Sequence, residues 1–124
     1  MTMNNKTNLL RQIHPSFVQN GKVTSQAFHP TPKDENKLSV YDGDQITCED
    51  SWNHYINDLE LVSVGTQIIL HYECTEKDLT IIPDPEAFKE HVLIDFSGFS
   101  NGQKKSKSKF LRNAAEKRGW CYEV

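Results

Sequence analysis

Hydrophobic and polar positions alternate in short runs along most of the chain, and only two stretches hold a helical period. "NLLRQIHP" at 8–15 reads as a short strand ending at His14, because the residue before a proline is pushed toward extended backbone. "NG" at 20–21 marks a turn, and in "KVTSQAF" Val23, Ser25 and Ala27 alternate with Thr24, Gln26 and Phe28 as in a strand. A proline-stiffened loop, "HPTPKDEN", leads into "KLSVYDGD", a strand with its turn. "LVSVGTQIILHYE" is rich in β-branched residues and is expected to bend or bulge at Gly65, with Ile68, Leu70 and Tyr72 on one face. In "HVLIDFSGF", Val92, Ile94 and Phe96 point inward while His91, Leu93 and Asp95 look outward.

The helical periods lie elsewhere. Thr47 is an N-cap with Asp50 at the capping-box position, and Trp52, Tyr55, Ile56 and Leu59 recur on one face. "PDPEAFKEH" offers Asp84 as a cap and Pro85 at the first helical position, which predicts a single helical turn. The last helix is expected over 106–118, stopped by Gly119, with Phe110, Leu111, Ala114 and Ala115 as its apolar stripe. Together these predict one α+β domain over 9–124 behind a flexible lead at 1–8. It holds a mostly antiparallel sheet and two main helices, at about 47–59 and 106–118.

At 124 residues, 36% of them hydrophobic and 25% charged, the chain is long enough to bury a core in one soluble domain. No apolar run reaches the roughly 18–20 residues of a membrane span, and the polar start "MTMNNKTNLL" does not read as a signal peptide. Cys48, Cys74 and Cys121 are an odd number at wide spacing, which argues for reduced thiols and a cytoplasmic setting. Charge is unevenly placed. Residues 104–118 carry seven bases and one acid, net +6, and the other 109 residues carry seven bases and sixteen acids, net −9.

That asymmetry supports the first functional expectation. Lys105, Lys109 and Arg112 share a stripe of the last helix, with Trp120 just beyond, and would meet an acidic protein partner or nucleic acid. The plain alternative is a solvated helix face on an acidic protein of pI about 5.9. The second expectation is a small enzyme acting on a nucleotide or RNA phosphodiester. Its acid–base pair would be His14 and His91, with Arg11 holding the phosphate and Ser25 as a hydroxyl partner. Both His14 and His29 precede a proline that stiffens the ring's presentation, which serves a site and a buried hydrogen bond equally well. Cys48, at a helix start, reads as a small buried hydrophobe. The histidines lack the local spacing of a metal set, and no phosphate-loop, dinucleotide or nucleophile-elbow pattern occurs, so neither metal nor cofactor is implied.

Taken together, "RQIHPSF…NG…SQAF…P…LSV", "HVLIDFS" and "AAEKRGW" resemble a set of small uncharacterised bacterial proteins over most of residues 10–120. That resemblance brings no activity with it. It directs attention to Arg11, His14, Ser25, Phe28, Ser39 and His91 as its recurring positions. Arg11 on a first strand followed by a Ser/Phe segment also resembles pieces of ADP-ribosyl-transferring folds, but no acidic catalytic motif follows here.

Overall fold

A computed structural model describes residues 3–124, which form one α+β domain around a six-stranded antiparallel sheet. In chain order the strands are β1 (Asn8–Gln12), the two-residue pair β2 (Val18–Gln19) and β3 (Lys22–Val23), β4 (Lys37–Asp42), β5 (Gly65–Leu70), β6 (Thr80–Pro83), β7 (His91–Asp95) and β8 (Trp120–Glu123). The helices are α1 (Cys48–Asn53), continued by a π-helical turn over His54–Asp58, then α2 (His71–Glu76) and α3 (Asn101–Arg118). The large sheet runs β6-β7-β4-β1-β5-β8, and β2 with β3 forms a separate hairpin. Asn20 and Gly21 both take positive φ in that hairpin, the backbone an Asn-Gly turn supplies.

The alternation sorts the sheet into two faces. Leu9, Leu38, Val40, Ile69, Val92 and Ile94 pack on one side against Leu111 and Ala115 of α3 and against Ala27 and Phe28. The other side carries Ser39, Tyr41 and His91, and α1 covers part of it. A buried network fastens α1 there. Gln12 donates to Ser51 Oγ at 2.9 Å and accepts from Ser63 and Thr66, both at 3.0 Å.

Several expectations are corrected. Residues 25–28 form a 3-10 turn rather than a strand, which turns the adjacent Ala27 and Phe28 both into the core. A strict alternation cannot do that. The strand expected through Tyr72 stops at Leu70, where Glu73 accepts from the Leu70 N–H at 2.8 Å and opens α2. Helix α3 begins at Asn101 rather than 106, because Ser100 and Gln103 cap it reciprocally. In the first helix Thr47 does cap, accepting from Asp50 N, but the π turn shifts the register. Ser51 is the buried residue of α1, and Leu59 is 37% exposed.

Of the lead at 1–8, residues 1–2 lie outside the described part. In the remainder Thr7 is buried and donates to Asp44 at 2.6 Å, Met3 packs on the core, and Asn8 already belongs to β1. Gly65 sits beside the β5–β8 bulge, where an added Cβ would meet the Trp120 ring at 2.8 Å.

The thiols also differ from the reading. Cys48 and Cys121 are joined in a disulfide across 6.0 Å between Cα atoms, because the start of α1 and strand β8 meet beside β5. Their separation of 73 residues hides this in the sequence. The bond removes the inference from unpaired cysteines to a reducing compartment. Cys74 is free and buried, and that burial, with Glu73 beside it, pushes its thiol up to about 12. Among the described residues no helix is long and apolar enough to cross a membrane.

Candidate active site

Strands β1 and β4 make the pairs Leu9↔Asp42 and Leu10↔Tyr41, and their pairing stops there. Beyond that point the backbone carbonyls of β4 that face β1 lack a strand partner and must find another donor. Arg11 provides it. Its Nη1 donates to Ser39 O at 2.9 Å and its Nε to Ala27 O at 2.7 Å, so one guanidinium closes the gap between β1, β4 and the 25–28 turn. A cavity of about 550 Å³ opens at this break, lined among others by Arg11, His14, His29, Lys37, Tyr41, Tyr55 and Phe88. Burial draws the Arg11 pKa below its ordinary value, with Tyr55 and Asp34 opposing. An arginine nevertheless stays charged across the working pH range.

Ser39 and His91 come together by register. Strand β7 pairs β4 with Tyr41 opposite His91 and Ser39 opposite Leu93, which leaves Ser39 and His91 on one face. Ser39 Oγ lies 2.8 Å from His91 Nε2, and His91 Nδ1 lies 2.8 Å from Asp84 Oδ2. A carboxylate only accepts, so Nδ1 carries the proton toward Asp84 and Nε2 is left to accept from the Ser39 hydroxyl. This is the arrangement of a nucleophile, its base and the group that orients the base. The His91 side chain is 11% exposed and Asp84 35%, so the imidazole is the most enclosed group of the three.

The expected cluster is therefore only partly assembled. Arg11, His14 and His91 line one cavity; Ser25 does not, since it opens the 3-10 turn. The hydroxyl on His91 belongs to Ser39, which was singled out only through the resemblance. The carboxylate belongs to Asp84, read as a helix cap. No helix forms after it. Residues 85–87 make a turn, and the Asp84 side chain reaches across the β6–β7 hairpin instead. Asp95, on the same outward face, accepts from Ser97 N at 2.9 Å.

His14 caps the turn at Pro15–Phe17, its Nδ1 accepting from Ser16 N at 3.0 Å, with Ser16 Oγ at 2.8 Å. The proton of its neutral ring sits on Nε2, which makes the residue a donor rather than a base. His29 Nδ1 lies 3.0 Å from Ser108 Oγ of α3.

The residues expected on the basic surface separate. Lys105 and Lys109 are exposed. Arg112 donates to Val23 O at 2.9 Å and pairs with Glu116 at 2.6 Å. Trp120 packs against the core, and Tyr122 lies against Trp52 at 5.3 Å between ring centroids. Among the described residues no group of three His, Cys, Asp or Glu side chains converges to hold a metal. No family model, no curated protein and no solved structure matches this chain.

Proposed function

We propose that the protein is a small enzyme that cleaves a phosphoester bond of a nucleotide or RNA, with Ser39 as nucleophile. The observation that carries this reading is the continuous Ser39–His91–Asp84 hydrogen-bond chain, 2.8 Å at each link, on the wall of a cavity that also holds Arg11. Ser39 Oγ attacks phosphorus while its proton passes to His91 Nε2, and Asp84 stabilises the imidazolium that forms. Among the described residues no protein acceptor bonds Arg11 Nη2, which leaves a donor in the same cavity for the phosphoryl oxygens. His14 adds an Nε2–H donor. Tyr55 lines the same cavity and supplies an aromatic ring for a base, so the cavity combines cationic and aromatic side chains.

A fluorophosphonate probe tests the nucleophile independently of substrate, because it phosphonylates only an activated serine. Wild-type protein is expected to label at Ser39, located by peptide mass. Ser39→Ala should not label, and His91→Ala should label at least about 100-fold more slowly. Folded wild-type protein that takes up no probe, or takes it up at another residue, would overturn the reading.

A further inference from the structure

A second set of groups repeats the pattern of the first across one aromatic ring. Tyr41 Oη lies 2.7 Å from His54 Nδ1, and His54 Nε2 lies 3.8 Å from Asp58 Oδ2. Phe88 stands between the two imidazoles, its ring centroid 4.7 Å from that of His54 and 4.7 Å from that of His91. Tyr41 is on β4 two residues after Ser39, on the same face, and pairs directly with His91. Same-face neighbours on a strand are about 7 Å apart, so a phosphoryl group held at Ser39 places its far side toward Tyr41. We infer that Tyr41, resupplied by His54 beside Asp58, protonates the leaving oxygen while His91 deprotonates Ser39.

The inference rests on the nucleophilic-serine reading and adds the acid that reading leaves unassigned. Tyr41 lines the cavity and is itself 3% exposed. Its burial, with Tyr55, Glu90 and Asp58 adding to the effect, raises its pKa far above the ordinary phenol, so it stays a proton donor. The direction of its bond to His54 depends on charge. With the neutral ring's proton on Nε2 facing Asp58, Tyr41 donates to Nδ1. In the imidazolium form Nδ1–H donates to Oη instead, and the Tyr41 hydroxyl proton turns to the cavity.

The steps balance. As the Ser39 Oγ–P bond forms and the bond to the leaving oxygen breaks, the serine proton goes to His91 Nε2. The leaving oxygen takes the Tyr41 proton, and His54 Nδ1 replaces it. Water then attacks phosphorus, its proton passing through Tyr41 to His54. His91 returns its proton to Ser39 Oγ as the Oγ–P bond breaks. Both histidines end as they began. Tyr41 is the catalytic residue in this scheme and His54 a positioning and supplying one.

Two diesters separate this role from a merely structural bond between Tyr41 and the helical segment. In thymidine 5′-p-nitrophenyl phosphate the leaving phenolate needs no proton, whereas thymidylyl-thymidine must expel a nucleoside alkoxide. Tyr41→Phe should lose about 100-fold or more on the dinucleotide and less than about threefold on the nitrophenyl ester. His54→Gln should follow the same split, and Ser39→Ala should fail on both. Equal losses on the two substrates, or none, would overturn the relay. Fluorophosphonate labelling of Ser39 should persist in Tyr41→Phe, which keeps the two readings apart. An unlabelled wild type removes the serine reading, while normal labelling without the split removes only the relay. Wild-type protein that labels yet cleaves neither diester removes both the phosphodiester assignment and the relay.

Discussion

Helix α3 and the cavity at the β1–β4 break are both rich in charged and titratable side chains, and they use them in opposite ways. On α3 most of the cations fasten the helix to the sheet and its loops. Lys104 bonds Asn36 at 3.0 Å, and Lys107 bonds Lys77 O at 2.6 Å while lying over the Phe99 ring. Arg118 holds Glu73 at 2.5 Å. Around the cavity the backbone carbonyls are satisfied by one arginine, and Ser39, His91 and Asp84 are bonded to one another in a line that ends at open space. In a dense run of basic residues most cations are thus engaged in bonds within the protein, while a sparse set drawn from three strands and their loops faces a cavity. Charge per residue of sequence does not measure charge available to a ligand.

The strongest way to break this contrast is Asp84→Asn. The amide keeps the size of the side chain but can donate to His91 Nδ1, favouring the tautomer in which Nε2 carries the proton and cannot accept from Ser39. Phosphodiester cleavage should fall by about 10³- to 10⁴-fold. Thermal stability should change little, since Asp84 is a third exposed. Steady-state kinetics beside a melting curve decides it, and activity within tenfold of wild type, about 1.4 kcal/mol, would remove Asp84 from the mechanism.

On α3 the same logic predicts effects on stability and none on chemistry. Arg112→Ala breaks the bond to Val23 O and the pair with Glu116, which is half exposed. It should cost about 1–2 kcal/mol, the lower part of the range for charged hydrogen bonds because solvent screens the pair. Joint reversal of Lys105 and Lys109 to Glu should stay within about 0.5 kcal/mol per site. Denaturant unfolding measures both. A double reversal that lowered kcat/KM would put the helix surface back into the function.

How much of this was legible follows from which interactions are local. The alternation in β7, the cap at Thr47 and the stripe at Leu111 and Ala115 depend on neighbours in sequence, and each appears where the pattern put it. The 25–28 turn failed because both of its apolar residues are claimed by the core, and tertiary burial overrode a two-residue period. Asp84 was readable in principle: a hairpin pairing Pro83 with Val92 sets residue 84 opposite 91. A predicted helical turn concealed it. Ser39 was not, because β4 meets β7 some fifty residues later and nothing local reports that register. The Cys48–Cys121 bond was hidden for the same reason.

His29 belongs to both regions, since it lines the cavity and bonds Ser108 of α3, and it sharpens the comparison with the smallest effect. Ser108 Oγ donates to Lys104 O at 2.8 Å, so it accepts from His29 Nδ1–H and leaves Nε2 to titrate. Burial lowers the His29 pKa from 6.5, and Lys104 and Lys105 lower it further. A histidine depressed in the folded state binds its proton first in the unfolded chain. Its contribution therefore weakens stability as pH falls through about 6.5 toward the folded value. Between pH 7.5 and 5.5 the wild type should lose more stability than His29→Gln. Lys105→Gln should move the folded His29 titration upward, followed by NMR of the imidazole. An unmoved titration would mean that the exposed lysines of α3 exert no field on the cavity, and the two regions would then be electrically separate as well as differently built.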